Sequence, residues 1–254
     1  MEKKTTIIIT TFLLIFNYAF LLGQYKRTDL QNENLFGEVK SIKYYSYENE
    51  ADTKEIILVL KFNKQGDIIE QIRYRIDSDI IDHYVYMLDK KNNKIEIHEL
   101  DSNEEVKHKY IYKNKYSNNG DIIEAQEFNN EGILKATIFF AYTKNDSTTT
   151  VEKKKLGKDR SHQYHALEKY NNDHKLIESI WFSEDGIIDS KALYKHDNMG
   201  NVIKESYSIG RYPENDRQYV NSYEFDRKKN WIKKIQKSEG VINDILEREI
   251  SYYK

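Results

Sequence analysis

Along the chain, stretches of strand length in which apolar and polar residues alternate are each cut off by a short cluster of Asn, Asp, Ser and Gly. Ala136, Ile138, Phe140 and Tyr142 would share one face of an extended segment, and Tyr219, Asn221, Tyr223 and Phe225 one face of another. A period of two in residues of this kind predicts β-strands. Ile56–Leu60 is apolar at every position, which predicts a strand covered on both sides. The intervening clusters repeat one phrase: an aromatic or apolar residue, three polar residues, Gly or Asn, a polar residue, two apolar residues, then a charge. Phe62-Asn63-Lys64-Gln65-Gly66-Asp67-Ile68-Ile69-Glu70 and Tyr116-Ser117-Asn118-Asn119-Gly120-Asp121-Ile122-Ile123-Glu124 are near duplicates, and further copies start at residues 88, 142, 170, 196 and 225. The starts lie 26 to 29 residues apart, and half-repeats such as Phe128-Asn129-Asn130-Glu131-Gly132 and Phe182-Ser183-Glu184-Asp185-Gly186 fall between them.

The elementary unit therefore holds one strand and one turn, too little for a pair of helices. Gly after Asn, Asp or Glu supplies the positive φ of a tight hairpin, and short connections force antiparallel neighbours. The prediction is an all-β antiparallel meander of repeated strand–turn units forming a long curved sheet, with a closed or partly closed barrel as the alternative. Residues 35–254 make a single β-repeat domain of seven repeats, opened by a strand at 35–42 and closed by one at 245–253. The stretch 146–161, with its Thr and Lys runs, is expected to be a long or frayed hairpin. The stretch 209–217, holding the lone Pro213, is expected to be an irregular loop.

Ahead of this domain, Lys3 and Lys4 precede an apolar run to about Leu22, followed by Gly23 and polar sequence. A basic start, an apolar stretch and a small residue at its exit predict a signal peptide over 1–23, with an uncleaved anchor as the alternative. Residues 24–34 read as a flexible polar lead. The protein is thus expected to be exported, periplasmic or secreted, with no membrane span once the signal is removed.

Composition narrows the chemistry. The 254 residues include no cysteine, which excludes disulfides, thiolate-bound zinc and a thiol nucleophile. The 40 Lys and Arg balance 42 Asp and Glu, so no global charge bias points to nucleic acid. The 21 tyrosines suit half-buried sheet surfaces, where the ring packs and the hydroxyl stays wet.

Tyr194-Lys195-His196-Asp197-Asn198-Met199-Gly200-Asn201-Val202-Ile203 resembles the YD (RHS-type) repeat, with His196 at the position of that repeat's second Tyr. Tyr223-Glu224-Phe225-Asp226 fits it with Phe for Tyr. Residues 35–254 are also similar to small secreted proteins of Bacteroidota. There an opening Gly-x-Val-Lys-Ser, here Gly37–Ser41, precedes several such repeats, and a closing Asn-Trp, here Asn230-Trp231, is followed by Glu-Arg-Glu-Ile-x-Tyr-Tyr, here 247–253. The resemblance implies a β-sheet scaffold that does no chemistry itself.

Candidate sites are few. His162 and His165 lie three apart, on opposite faces of a strand, and cannot chelate together. The Asp- and Asn-rich turns lack the alternate-ligand spacing of a calcium loop. Glu70, Glu124 and Glu178 recur at one repeat position and read as a solvated strand face alternating with Lys. Lys153, Lys154, Lys155, Lys158 and Arg160 read as a solvated basic hairpin. No metal or cofactor is expected. Trp181 and Trp231, with Tyr194 and Tyr223, are the candidate binding residues, because flat rings stack on sugars and anchor interfaces. The expected function is a non-catalytic exported scaffold binding a protein or glycan. An immunity-like or accessory protein of an exported toxin system, and an enzyme with a cryptic site, are the alternatives. Ligand identity and oligomeric state stay open.

Overall fold

The computed structural model describes residues 28–47, 53–75, 79–210 and 216–254. They form one short helix, α1 (Asp29–Asn32), and sixteen strands: β1 (Val39–Tyr47), β2 (Glu55–Phe62), β3 (Ile68–Tyr74), β4 (Ile80–Leu88), β5 (Lys94–Leu100), β6 (Val106–Tyr116), β7 (Ile122–Phe128), β8 (Leu134–Lys144), β9 (Thr148–Gly157), β10 (His162–Asn171), β11 (Leu176–Phe182), β12 (Ile188–His196), β13 (Val202–Ile209), β14 (Arg217–Phe225), β15 (Trp231–Ser238) and β16 (Val241–Tyr252). Each strand pairs antiparallel with the next. β1 also pairs with β16, Ile42 opposite Ile250 and Tyr44 opposite Arg248, so the meander closes into a barrel. The closed form is adopted rather than the long open sheet, and closure leaves no unpaired sheet edge. The predicted opening and closing strands are the two that meet at the seam.

The recurring phrase is a hairpin turn. Asn63 N–H donates to the Asp67 carbonyl at 2.9 Å, Gly66 N–H donates to the Asn63 carbonyl at 3.1 Å, and Asn63 Oδ1 accepts from Asp67 N–H at 2.9 Å. Asp89, Asp197 and Asp226 each accept from the N–H groups two and four residues on. The fourth residue adopts a left-handed φ, 93° at Gly66 and 87° at Gly200. Where the phrase lacks Gly, His174 (58°) and Lys229 (66°) take the same conformation. This is a type I turn with a bulge, which carries the right-handed twist of the flanking strands.

Phe62, Leu88, Tyr116, His196 and Phe225, the first residues of five repeats, end β2, β4, β6, β12 and β14. One period is therefore two strands, and the repeat turns gather at one end of the barrel. The repeat's tyrosines tie adjacent turns together. Tyr116 OH donates to Asp89 at 3.2 Å and accepts from Asn93 at 3.1 Å; Tyr252 OH donates to Asp226 at 2.7 Å and accepts from Asn230 at 2.8 Å.

That end is covered. Thr28 caps α1 in a reciprocal box with Gln31. Leu30 N–H donates to the Gly66 carbonyl at 2.9 Å, and Asp29 accepts from Ile68 N–H at 2.7 Å. Asn34 bonds Asn201 at 2.8 Å and Lys175 at 2.9 Å, while Asn230 accepts from Phe36 N–H at 2.6 Å. The β2–β3 and β10–β11 turns stand half the strand order apart, so the segment 28–38 crosses the mouth as a plug. The lead expected over 24–34 is in this part a packed element, because Leu30 is an apolar anchor inside a polar stretch. The signal-peptide reading of 1–23 lies outside the described residues. Below the plug sits a core of Leu30, Ile42, Tyr44, Leu58, Leu60, Phe62, Ile68, Tyr86, Trp231 and Leu246. A second cluster of Ile122, Ala125, Ile138, Phe140 and Val151 lies along the wall.

One sequence expectation changes in part. The stretch 146–161 is mostly the strand β9, in long hairpins with β8 and β10, and its basic residues divide: Lys154, Lys158 and Arg160 are exposed, whereas Lys153 and Lys155 are not. Lys153 points inward and is 1% exposed, 2.7 Å from Glu168, and Lys155 pairs with Glu127 at 3.0 Å. Only Lys154 among the three turns outward, to Glu152. The irregular loop expected at 209–217 falls mainly on residues outside the described set.

Candidate functional site: an aromatic lumen

Cross-strand register fixes which side chains face inward. From Tyr44 and Leu60 the inward row runs through Gln71, Tyr84, Glu99 and His108 on β3–β6. On β10–β14 it includes Tyr164, Ala166 and Glu168, then Trp181, Tyr194, Glu205, Tyr207 and Tyr219. A barrel of sixteen strands encloses more space than its side chains fill. Accordingly Tyr84, Tyr110, Tyr164, Trp181, Tyr194, Tyr207 and Tyr219 remain half-buried although they point into the barrel. Among the described residues, nothing comparable to the plug crosses the opposite mouth.

The four candidate binding residues all face inward and divide into two pairs. Trp231 belongs to the plugged end. It is 7% exposed, the Arg248 guanidinium lies 3.4 Å over its ring, and Tyr44 and Tyr223 pack at 6.1 and 5.8 Å between centroids. Tyr223 donates to the Val202 carbonyl at 2.7 Å and is held there. Trp181 and Tyr194 are half-buried on the inner wall. Trp181, opposite Ser190 toward the end away from the plug, lies 5.6 Å from the Tyr164 ring.

Part of the charge inside the barrel is held in close pairs. Arg73 contacts Asp82 on the neighbouring strand, and Glu33 of the plug accepts from Arg248 at 3.0 Å and from Tyr44 at 2.7 Å. Burial pushes the Glu33 carboxyl above its usual range, against the pull of Arg248 and the Tyr44 hydrogen bond. Burial also lowers Lys94 to about 8, opposed by Asp29 and Asp67, with the ammonium 4.2 Å over the Tyr86 ring. Burial raises the Glu205 carboxyl and lowers Lys234; each opposes the other's shift by attraction.

The outer wall has a different character. Glu70, Glu124 and Glu178 face outward and pair with Lys61, Lys115 and Lys191, each at 2.7 Å, as the solvated-face reading requires. His83, His98 and His165 sit outside beside Glu70, Glu96 and Glu152. Such a charged belt is not the continuous apolar band that faces lipid in outer-membrane barrels. No helix among the described residues is long and apolar enough to cross a membrane, and none of them forms a cluster of three metal-ligating side chains.

Sequence reasoning missed Tyr164, Glu205, Lys234 and the Glu33–Arg248 pair. The alternation Tyr164, Ala166, Glu168, Tyr170 against His165, Leu167, Lys169 is visible in the sequence. It does not say which row turns inward.

No family model matches the chain, and no curated protein matches it. Among solved structures it is similar to a porin-like protein from Bacteroides vulgatus at 11% identity and a TM-score of 0.41, covering 85% of this chain and 98% of that one. A porin-like protein from Bacteroides uniformis is similar at 8% identity and a TM-score of 0.36, covering 84% and 96%. A LolA superfamily protein from Nitrosomonas europaea is similar at 8% identity and a TM-score of 0.23, covering 89% and 92%. At these TM-scores none of the likenesses bears on what the chain does.

Proposed function

We propose that this protein is a non-catalytic, exported barrel that takes a glycan into its lumen through the mouth opposite the plug. The observation that carries this reading is the half-buried Trp181, set beside Tyr164 on an inner wall that alternates aromatic rings with hydrogen-bonding groups. Sugars offer such a wall what it can use, an apolar C–H face for the ring and hydroxyls for the polar groups. A lipid chain fits poorly. The same wall carries the Lys155–Glu127 pair, 3.0 Å apart and still partly exposed, whose remaining hydration an acyl chain would remove without replacing. The export part of the proposal rests on the signal-like composition of residues 1–23.

The test is titration of the protein with cellohexaose, chitohexaose, maltohexaose and soluble peptidoglycan fragments, read by calorimetry and tryptophan emission. Binding of one of these, lost in Trp181→Ala at unchanged far-ultraviolet circular dichroism, supports the proposal. Recovery instead of one stoichiometric protein from the native envelope, with no saccharide bound, would favour the accessory-protein reading.

A further inference from the structure

Tyr194, Glu205 and Tyr219 stand directly opposite one another on β12, β13 and β14, a row of inward side chains across three strands, with Tyr207 the next inward residue of β13. The polar groups just beyond this row satisfy one another. Asn221 donates to the Val202 carbonyl at 2.8 Å and accepts from Gln236 at 3.3 Å. Gln236 accepts from Asn243 at 3.3 Å, and Tyr223 donates to Val202 at 2.7 Å. Two groups are left out of that closed network. The Tyr194 hydroxyl is buried and has no hydrogen-bond partner. The Glu205 carboxylate makes no hydrogen bond among the described residues and remains half-buried on the inner face.

A buried hydroxyl without a partner is rare and unfavourable, and calls for a reason. Here the reason and the neighbouring unbonded carboxylate coincide. We infer that Tyr194 and Glu205 form a polar subsite that holds the hydroxyl groups of a sugar ring, with Lys234 supplying the nearby positive charge. This rests on the glycan reading above and gives it a second anchor. The carboxylate accepts from two adjacent hydroxyls, as it accepts a bidentate donor elsewhere. The Tyr194 hydroxyl donates to a ring substituent. The Tyr207 and Tyr219 rings flank the place where the apolar face would lie. Burial raises the Glu205 carboxyl, and the attraction of Lys234 works against that shift, favouring the acceptor form. From Trp181 the path along the wall crosses two strands and four residues, about 16 Å at ordinary strand spacing. The two anchors therefore select an oligosaccharide of several rings rather than a monosaccharide.

The experiment uses the full chain and whichever hexasaccharide of the panel above binds it. Glu205→Gln and Tyr194→Phe keep the side-chain shape, and circular dichroism with a melting curve establishes that each variant folds. Each is expected to weaken the hexasaccharide at least tenfold while leaving the matching disaccharide, too short to join both anchors, within twofold of wild type. Hexasaccharide affinities within twofold of wild type in both variants, with Trp181→Ala still abolishing binding, would overturn the subsite and leave the glycan reading standing. If no saccharide of the panel binds wild type, both fall.

Discussion

The Glu33 carboxylate at the end of α1 lies 3.0 Å from the Arg248 guanidinium of β16, joining the plug to the last strand of the barrel. Both side chains are withdrawn from water, 13% and 3% exposed, and Arg248 also stacks on Trp231. Removing one partner of such a pair leaves the other charge buried and uncompensated. Glu33→Ala is expected to lower the unfolding free energy by about 3–5 kcal/mol. Glu33→Gln, which keeps an acceptor for Tyr44, should lose less. Urea titration measures both, and equal losses would show that the charge is immaterial.

The turns predict a pair of opposite effects. Lys229 holds a φ of 66° where other copies of the repeat have Gly. A left-handed conformation costs a residue with a Cβ roughly 1–2 kcal/mol, so Lys229→Gly should raise stability by about 1 kcal/mol. Gly66 is the reverse case. At φ 93°, an added Cβ would also meet Leu30 Cδ1 at 3.0 Å and Thr28 Oγ1 at 3.2 Å. Gly66→Ala should therefore destabilise the protein and loosen the plug, visible as faster amide exchange at Leu30 and Ile68.

Lys94 predicts a rise of stability in mildly alkaline solution. Its folded pKa of about 8 lies below the ordinary 10.5. Between those values the unfolded chain holds a proton that the folded chain has lost, so the unfolding free energy increases with pH across that window. The increase is at most about 1.4 kcal/mol per pH unit. The buried tyrosines are pushed upward and act in the opposite sense above pH 10, so the comparison belongs between pH 8 and 9.5. Lys94→Met should flatten the wild-type climb there; an unchanged slope would assign it to another group.

The two tryptophans should separate by what their loss damages. Trp231 is packed in the core below the plug, and Trp231→Ala is expected to cost about 3–5 kcal/mol. Trp181 is half-buried on the lumen wall, and Trp181→Ala should cost about 1 kcal/mol or less. Acrylamide should quench Trp181 emission well before that of Trp231, a contrast measured in the Trp181→Phe and Trp231→Phe proteins.

The strands, their order and the antiparallel pairing were legible because the turn phrase is a local device. Asp197 and Gly200 set the hairpin whatever surrounds it, and the alternation of β8 needs only its own residues. Closure and sidedness were not legible. The inward row of β12 is Ala192 and Tyr194, while Leu193 faces outward and is 44% exposed; Val220 on β14 is 56% exposed. A rule that buries aliphatic residues would turn these strands inside out. Lys153 was misread for the same reason, since its partner Glu168 sits 15 residues away on the next strand and only the register brings them together. Of the candidate site, Trp181 and Tyr194 were marked by residue type, whereas Glu205 carried no mark because a lone carboxylate on a strand can equally face outward, as Glu70 on β3 and Glu178 on β11 do.

Every strand pairing but one joins segments that follow each other along the chain. The exception is the seam, where Ser41 meets Ser251 across 210 residues at 2.6 Å. Hairpins with local contacts form fast, and a single ladder of such separation is slow to find. Until it forms, the sheet presents β1 and β16 as two free edges, each able to template pairing with another molecule. The hazard in this protein's folding is thus concentrated in time, in the interval before one ladder is made, rather than spread along its length.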